Sequence, residues 1–239
     1  MEFKERKYRN QILKHNLKSY NVIVGETDLF ITSDTDESEY VLKSIYLYRS
    51  FIQTYISSHP EFLTSLEPVT KDDFAPVIIR DMIESSRIVN VGPMAAVAGA
   101  IAQYVGYDLL KINSNVIVEN GGDIFIKTQN DIQVGIFAGN SLLSNKLKIG
   151  VKKEEMPLGI CTSSGTVGHS VSFGYADAVC VKAKSVSLAD AAATALGNKV
   201  KKTGDIEKTL NSGAQIMGIM GIIIVMGKHL GVWGDFEFV

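Results

Sequence analysis

The run Val116-Ile117-Val118-Glu119, Asn120-Gly121-Gly122-Asp123, Ile124-Phe125-Ile126-Lys127 constrains the fold more than any other part of the chain. Two apolar stretches flank a turn of asparagine, two glycines and aspartate. Glycine supplies the positive φ that a tight hairpin turn demands, so the pattern reads as two antiparallel strands joined directly. A second constraint lies just upstream. Gly92-Pro93 opens a segment, residues 94–105, that is apolar nearly all round and dense in small side chains (Ala95, Ala96, Ala98, Gly99, Ala100, Ala102). Proline is favourable at the first position of a helix, and a helix without a polar face is buried. Its N-terminus, with free amides and the positive end of the helix dipole, suits an anion; close packing on a sheet accounts for the same residues without a ligand.

The rest of the chain fits around these two elements. Residues 22–24 and 29–32 read as short strands across a Gly25-Glu26-Thr27-Asp28 turn. Asp36-Glu37-Ser38-Glu39 starts a helix whose apolar positions Val41, Ile45, Tyr48, Ile52 and Tyr55 keep a helical period until Pro60. Residues 74–86 form a second helix, limited at its start by Pro76. Further strands are expected near 133–137, 147–151, 158–162 and 179–183, a helix at 205–211, and a closing pair of strands at 218–226 and 236–239. No internal repeat, linker or composition break divides the 239 residues, so a single α/β domain over 1–239 is expected.

Composition narrows the function. With 46% apolar and 21% charged residues the chain has the make-up of a globular protein with a sizeable core. Lysine plus arginine is 24 against 26 acids, a formal net charge of −2, which leaves no basic field for nucleic acid and nothing to draw the chain to an anionic membrane. The longest apolar stretch, 216–226, is interrupted by Gly218 and Gly221 and is shorter than the ~18 residues of a membrane span. The charged opening Met1-Glu2-Phe3-Lys4-Glu5 lacks the apolar core of an export leader. Cys161 and Cys180 form neither a CxxC unit nor a zinc spacing. A cytoplasmic protein with buried thiols is expected.

The chemistry concentrates between residues 161 and 196. Cys161-Thr162-Ser163-Ser164-Gly165-Thr166-Val167-Gly168-His169 is a hydroxyl-rich turn ending in histidine, the side chain whose pKa best suits a general base. Cys161 is either a nucleophile or a small buried hydrophobe. Ser187-Leu188-Ala189-Asp190-Ala191-Ala192-Ala193-Thr194-Ala195-Leu196 reads as a helix with Asp190 and Thr194 on one face. Hard oxygen ligands so placed can hold magnesium and leave its other positions to water or phosphate. The competing possibility is that Ser187 caps the helix and Asp190 is the capping-box acid. His15, His59 and His229 show no ligand spacing, and Arg80, Arg87 and Lys127 read as surface cations.

Three blocks, in order, resemble the ApbE-like family of flavin transferases, which attach flavin mononucleotide to a threonine of target proteins. They are the strand and Gly121-Gly122-Asp123 turn, the Thr162-Ser163-Ser164-Gly165 segment with His169 downstream, and Ala189-Asp190-Ala191-Ala192-Ala193-Thr194-Ala195-Leu196. The resemblance implies a two-layer α+β fold related to the tunnelling fold, with a largely antiparallel sheet and buried helices. It implies a magnesium site at Asp190 and Thr194, and a flavin (FAD or FMN) or adenine dinucleotide contacting Gly121, Gly122, Asp123, Thr162, Ser163, Ser164 and Gly165. His169 is the candidate catalytic base. The segment His169-Ser170-Val171-Ser172-Phe173-Gly174 is shorter than the family's and lacks its Asp-Pro and Thr-Gly, and Gly92-Pro93-Met94-Ala95 stands in place of a Lys-Gly-Tyr element. Two functions follow: a magnesium-dependent enzyme that transfers FMN or cleaves a dinucleotide pyrophosphate, or a non-catalytic flavin- or nucleotide-binding protein that retains the fold. The edge strands of such a sheet allow a homodimer.

Overall fold

The apolar strands of this chain bury both faces, and the layering follows from that. The computed structural model describes residues 17–139, 141–144, 146–165 and 174–239. The hairpin β1 (Lys18–Val24) and β2 (Thr27–Ser33) leads into α1 (Ser38–Ser58), α2 (Glu61–Thr64), α3 (Val77–Val89) and α4 (Val97–Leu109). Next come β3 (Val116–Asn120), β4 (Asp123–Lys127), β5 (Ile132–Gly135), β6 (Lys148–Val151), β7 (Leu158–Ser163) and β8 (Ala178–Ala183). The chain closes with α5 (Val186–Gly197), α6 (Ile206–Gly213), β9 (Ile219–Met226), β10 (His229–Gly234) and β11 (Glu237–Phe238). One eight-stranded sheet has the order β1-β2-β3-β4-β7-β8-β9-β10, and β11-β6-β5 form a small second sheet. Every pairing is antiparallel.

Alternation along the central strands separates two cores. Val116, Val118, Phe125, Cys161, Val179, Val181, Ile222 and Ile224 face the helices. Their neighbours Ile117, Ile126, Ile160, Ala178, Cys180, Ile223 and Val225 face the small sheet, meeting Val134, Ile149 and Val151. The expected layer of buried helices on a largely antiparallel sheet is present, with the small sheet covering the far face. Lys182, on that far face and 3% exposed, reaches Glu155 at 2.8 Å and the Asp235 carbonyl at 3.0 Å beneath the ring of Phe236. Among the described residues no single helix is long and apolar enough to cross a membrane.

The hairpin that constrains the fold forms as expected: Asn120 pairs with Asp123 across Gly121 and Gly122, whose φ values are 69° and 112°. Three expectations are corrected. The helix expected from residue 94 opens as a 3-10 turn, Pro93–Ala96, and becomes α-helical only at Val97. The helix expected at 74–86 starts after Pro76, which has no amide to give, and runs on until Asn90 takes a left-handed conformation. The strand pairing expected between 218–226 and 236–239 is replaced by β9 with β10, while β11 joins β6 in the small sheet. Gly231 and Gly234 lower the strand propensity of 229–234, but α6 covers it closely: a Cβ at Gly231 would fall 2.3 Å from Ile206.

Candidate functional site

The site forms where the β3–β4 turn, the end of β7, the first turns of α5 and the N-terminus of α4 meet. On α5 ten of the twelve residues are buried, and the two that are not are Asp190 and Thr194. The helix therefore has one open stripe, made of the pair expected to share a face. The cap is Ser185, not Ser187: its hydroxyl accepts the Leu188 amide at 3.2 Å. Ser187 instead donates to the Asp81 carboxylate on α3 at 2.8 Å. Asp190 is thereby released from the capping role. Its carboxylate accepts the Gly99 amide at 2.8 Å.

That bond bears on the N-terminus of the small-residue helix, for which an anion and close packing were the two alternatives: α5 packs closely there, and the group that meets the amide is the chain's own carboxylate. Ala96, at the N-cap of α4, provides no side-chain cap. The first amides of a helix have no partner within it, and a carboxylate is favourable there. Asp190 is that carboxylate. The approach is close: a Cβ at Gly99 would lie 2.6 Å from the Val186 carbonyl oxygen and 2.8 Å from the Asp190 Cβ. Asn120 fixes the same turn from the sheet, its Nδ2 donating to the Ala98 carbonyl at 3.0 Å.

Asp123 opens β4 directly after the two glycines and is paired in register with Cys161 on β7. Its burial pushes its carboxyl up to about 7; the Cys161 thiol, then the Thr162 amide, work against that shift, and the Glu119 charge adds to it. Burial also pushes Asp190 well above the usual carboxylate range, with the charge of Asp123 adding to it and the Gly99 and Ala98 amides opposing. The Asp123 charge thus helps raise Asp190, the behaviour of like charges sharing a site. Among the described residues neither carries an ion pair to lysine or arginine. Glu119, 1% exposed, accepts the Gly122 amide at 2.9 Å and pins the turn.

Thr162 and Ser163, both half-buried, end β7 beside this turn and α5. A Cβ at Gly122 would lie 3.5 Å from the Thr162 carbonyl oxygen, and one at Gly197 would lie 3.6 Å from the Ser163 hydroxyl. Gly165 donates its amide to the Ala176 carbonyl at 3.0 Å. Gly121, Gly122, Asp123, Thr162, Ser163, Asp190 and Thr194 therefore belong to one region, with Ser164 and Gly165 next along the chain. His169 and its neighbours 166–173 lie outside the described residues. Cys161 has the setting of a small buried hydrophobe: it is fully buried, its thiol directed at the Val186 carbonyl at 3.5 Å, and burial with the Asp123 and Asp190 charges beside it pushes the thiol far up. A separate cleft of about 770 Å³ between α3 and α4, lined by Arg80, Asp81, Tyr104 and Tyr107, does not include these residues.

The sequence pattern placed the Asn120-Gly121-Gly122-Asp123 turn at the site and Ala98 and Gly99 in a close-packing helix, but it gave no role to Glu119 and did not show that Asn120 and Asp190 meet the Ala98–Gly99 peptide. The position of Glu119 and Asn120 beside the double glycine, and of Ala98 and Gly99 inside the small-residue helix, was the available signal. The contacts of Asn120 and Asp190 with that peptide join residues 22 and 91 positions apart, which no local pattern carries.

The arrangement has counterparts of known structure. The flavinyl transferase ApbE of Pseudomonas stutzeri superposes with a TM-score of 0.59 over 91% of this chain and 94% of its own, at 12% identity. The flavin transferase ApbE of Vibrio cholerae gives 0.57 over 92% and 98%, at 11% identity. At such identity the likeness is one of fold, and the fold is that of the ApbE flavin transferases. Residues 9–217 match the family model described as "AbpE bacteria", and the chain belongs to this ApbE-like family. Relatives named only "UPF0280 protein" are much nearer in sequence. That of Methanococcus aeolicus is 42% identical over 219 residues, covering 89% of this chain and 88% of its own. That of Methanosarcina barkeri is 39% identical over 213 residues, covering 88% and 84%.

Proposed function

We propose that this protein binds a flavin or related adenine dinucleotide together with magnesium and cleaves its pyrophosphate, either transferring the flavin phosphate to an acceptor or releasing it to water. The observation that carries this is the open Asp190/Thr194 stripe of α5 set beside the buried Asp123, with the Gly121-Gly122 turn alongside. Two neighbouring carboxylates with raised pKa values, neither of them ion-paired to lysine or arginine among the described residues, suit a divalent ion, whose charge offsets the repulsion of Asp190 by Asp123. Asp190 and Thr194 would hold it with oxygen atoms, and Asp123 stands near enough to add charge. A bound magnesium would neutralise phosphate charge.

The chain's own residues account for the rest. The glycine turn lets the backbone approach a phosphate where a side chain would not. Thr162, Ser163 and Ser164 offer hydroxyls to phosphate oxygens. In the reaction a threonine hydroxyl or a water attacks the flavin-side phosphorus. The new P–O bond forms as the bond to the adenylate oxygen breaks, adenosine monophosphate leaves with that electron pair, and the proton of the nucleophile goes to a base. His169 is our candidate for that base. The non-catalytic reading is favoured by one feature, the short segment after His169 without Asp-Pro or Thr-Gly.

Incubation of the pure protein with flavin adenine dinucleotide and magnesium, followed by chromatography for adenosine monophosphate, separates the two. Release that is lost in Asp190→Asn and in His169→Ala supports the enzyme. Dinucleotide binding without release supports the binding protein.

A further inference from the structure

Asn120 and Asp190 grip the two ends of one peptide group. The Asn120 side-chain amide donates to the Ala98 carbonyl at 3.0 Å, and the amide of the same peptide unit, that of Gly99, donates to Asp190 Oδ2 at 2.8 Å. Hydrogen bonds in series polarise one another: a donor on the carbonyl makes the attached N–H a stronger donor. The peptide lies in the first turn of α4, where the amide has no helical partner and is free to point at another element. The absence of a Cβ at Gly99 permits the contact, since that atom would strike Val186 and Asp190. Asn120 itself is held in the β3–β4 hairpin, opposite Asp123 on one side and Leu29 on the other. The relay thus runs from the β3–β4 hairpin, through one peptide of α4, to a carboxylate on α5.

We propose that Asn120 is a positioning residue for a divalent-cation site: through the Ala98–Gly99 peptide it fixes the Asp190 carboxylate that would hold the metal. This rests on the reading of Asp190 as a magnesium ligand. Partners that orient a metal ligand commonly matter about tenfold or more for metal affinity.

The test uses the full chain and manganese as a paramagnetic stand-in for magnesium, with free ion counted by electron paramagnetic resonance. Asn120→Ala is expected to weaken manganese binding about tenfold. Ser44→Ala, which removes a buried hydrogen bond to Asp108 at the far end of α4, should lower stability and leave the affinity unchanged. Equal affinity in wild type and Asn120→Ala overturns the inference. The Gly99 amide proton, followed by nuclear magnetic resonance without metal, is the second readout. It should move upfield in Asn120→Ala, and a Gly99 resonance that stays in place also overturns the relay. If Asn120→Ala does not fold, Asn120→Leu replaces it in both measurements. A wild-type protein that binds no manganese defeats the magnesium reading itself, and the Gly99 resonance then decides the relay alone.

Discussion

Asp123 shows how one buried carboxylate links stability to the site. An aspartate in an unfolded chain titrates near 4, whereas here burial raises the carboxyl to about 7. Between those values the folded protein holds the proton more tightly than the unfolded chain, so this group's contribution to stability falls as pH rises through the window. Asp123→Asn removes that loss. The metal-free variant is expected to match wild type near pH 4 and to melt several degrees above it at pH 8, which calorimetry at the two pH values checks. A gap that is the same at both pH values contradicts the assignment. Asp190 behaves differently on substitution because it also caps α4. Asp190→Asn should lose magnesium binding far more than Thr194→Ser, since the first removes a charge and the second keeps a hydroxyl oxygen. Titration of both variants with magnesium in the presence of dinucleotide compares them. The thiols give a simpler outcome: Cys161 and Cys180 are both fully buried with their pKa values raised, so a thiol reagent should label neither until the protein is unfolded.

At the scale of elements, the contact between α4 and α5 holds the site together. Gly99→Leu forces a side chain into the space of the Val186 carbonyl, which is backbone and cannot swing away. Overpacking of this kind typically costs about 1–3 kcal/mol, so a clear fall in melting temperature and loss of dinucleotide binding are expected. An unchanged melting curve would show that the two helices part easily. These helices and the hairpin were legible in the chain because each carries a local pattern: small residues without a polar face, and two glycines between apolar runs. What local pattern missed was set by tertiary packing. Ser187 looked like a cap but is drawn to Asp81, leaving Ser185 to cap α5. The strand at 229–234 was hidden by its glycines and is made by the cover of α6. Asp190 and Thr194 were found together because four residues of helix are local; the partners of Asp190 on α4 were not, because they lie 91 residues away.

Over the whole molecule, the large sheet serves as a common base for parts of the site drawn from distant stretches of chain. Its central strands β3, β4 and β7 carry the glycine turn, Asp123 and the hydroxyls, and the helical layer brings α4 and α5 over their ends. Covering both faces of the sheet buries the base on which the site is built. On the proposed function, this junction takes a dinucleotide and magnesium as one unit. Isothermal titration of flavin adenine dinucleotide into the wild-type protein, with and without magnesium, and into Asp190→Asn, measures it most directly. Binding that strengthens at least tenfold with magnesium in wild type, about 1.4 kcal/mol, and gains nothing in Asp190→Asn is the expected result. Binding of equal strength in all three titrations, or no binding in any, would contradict it.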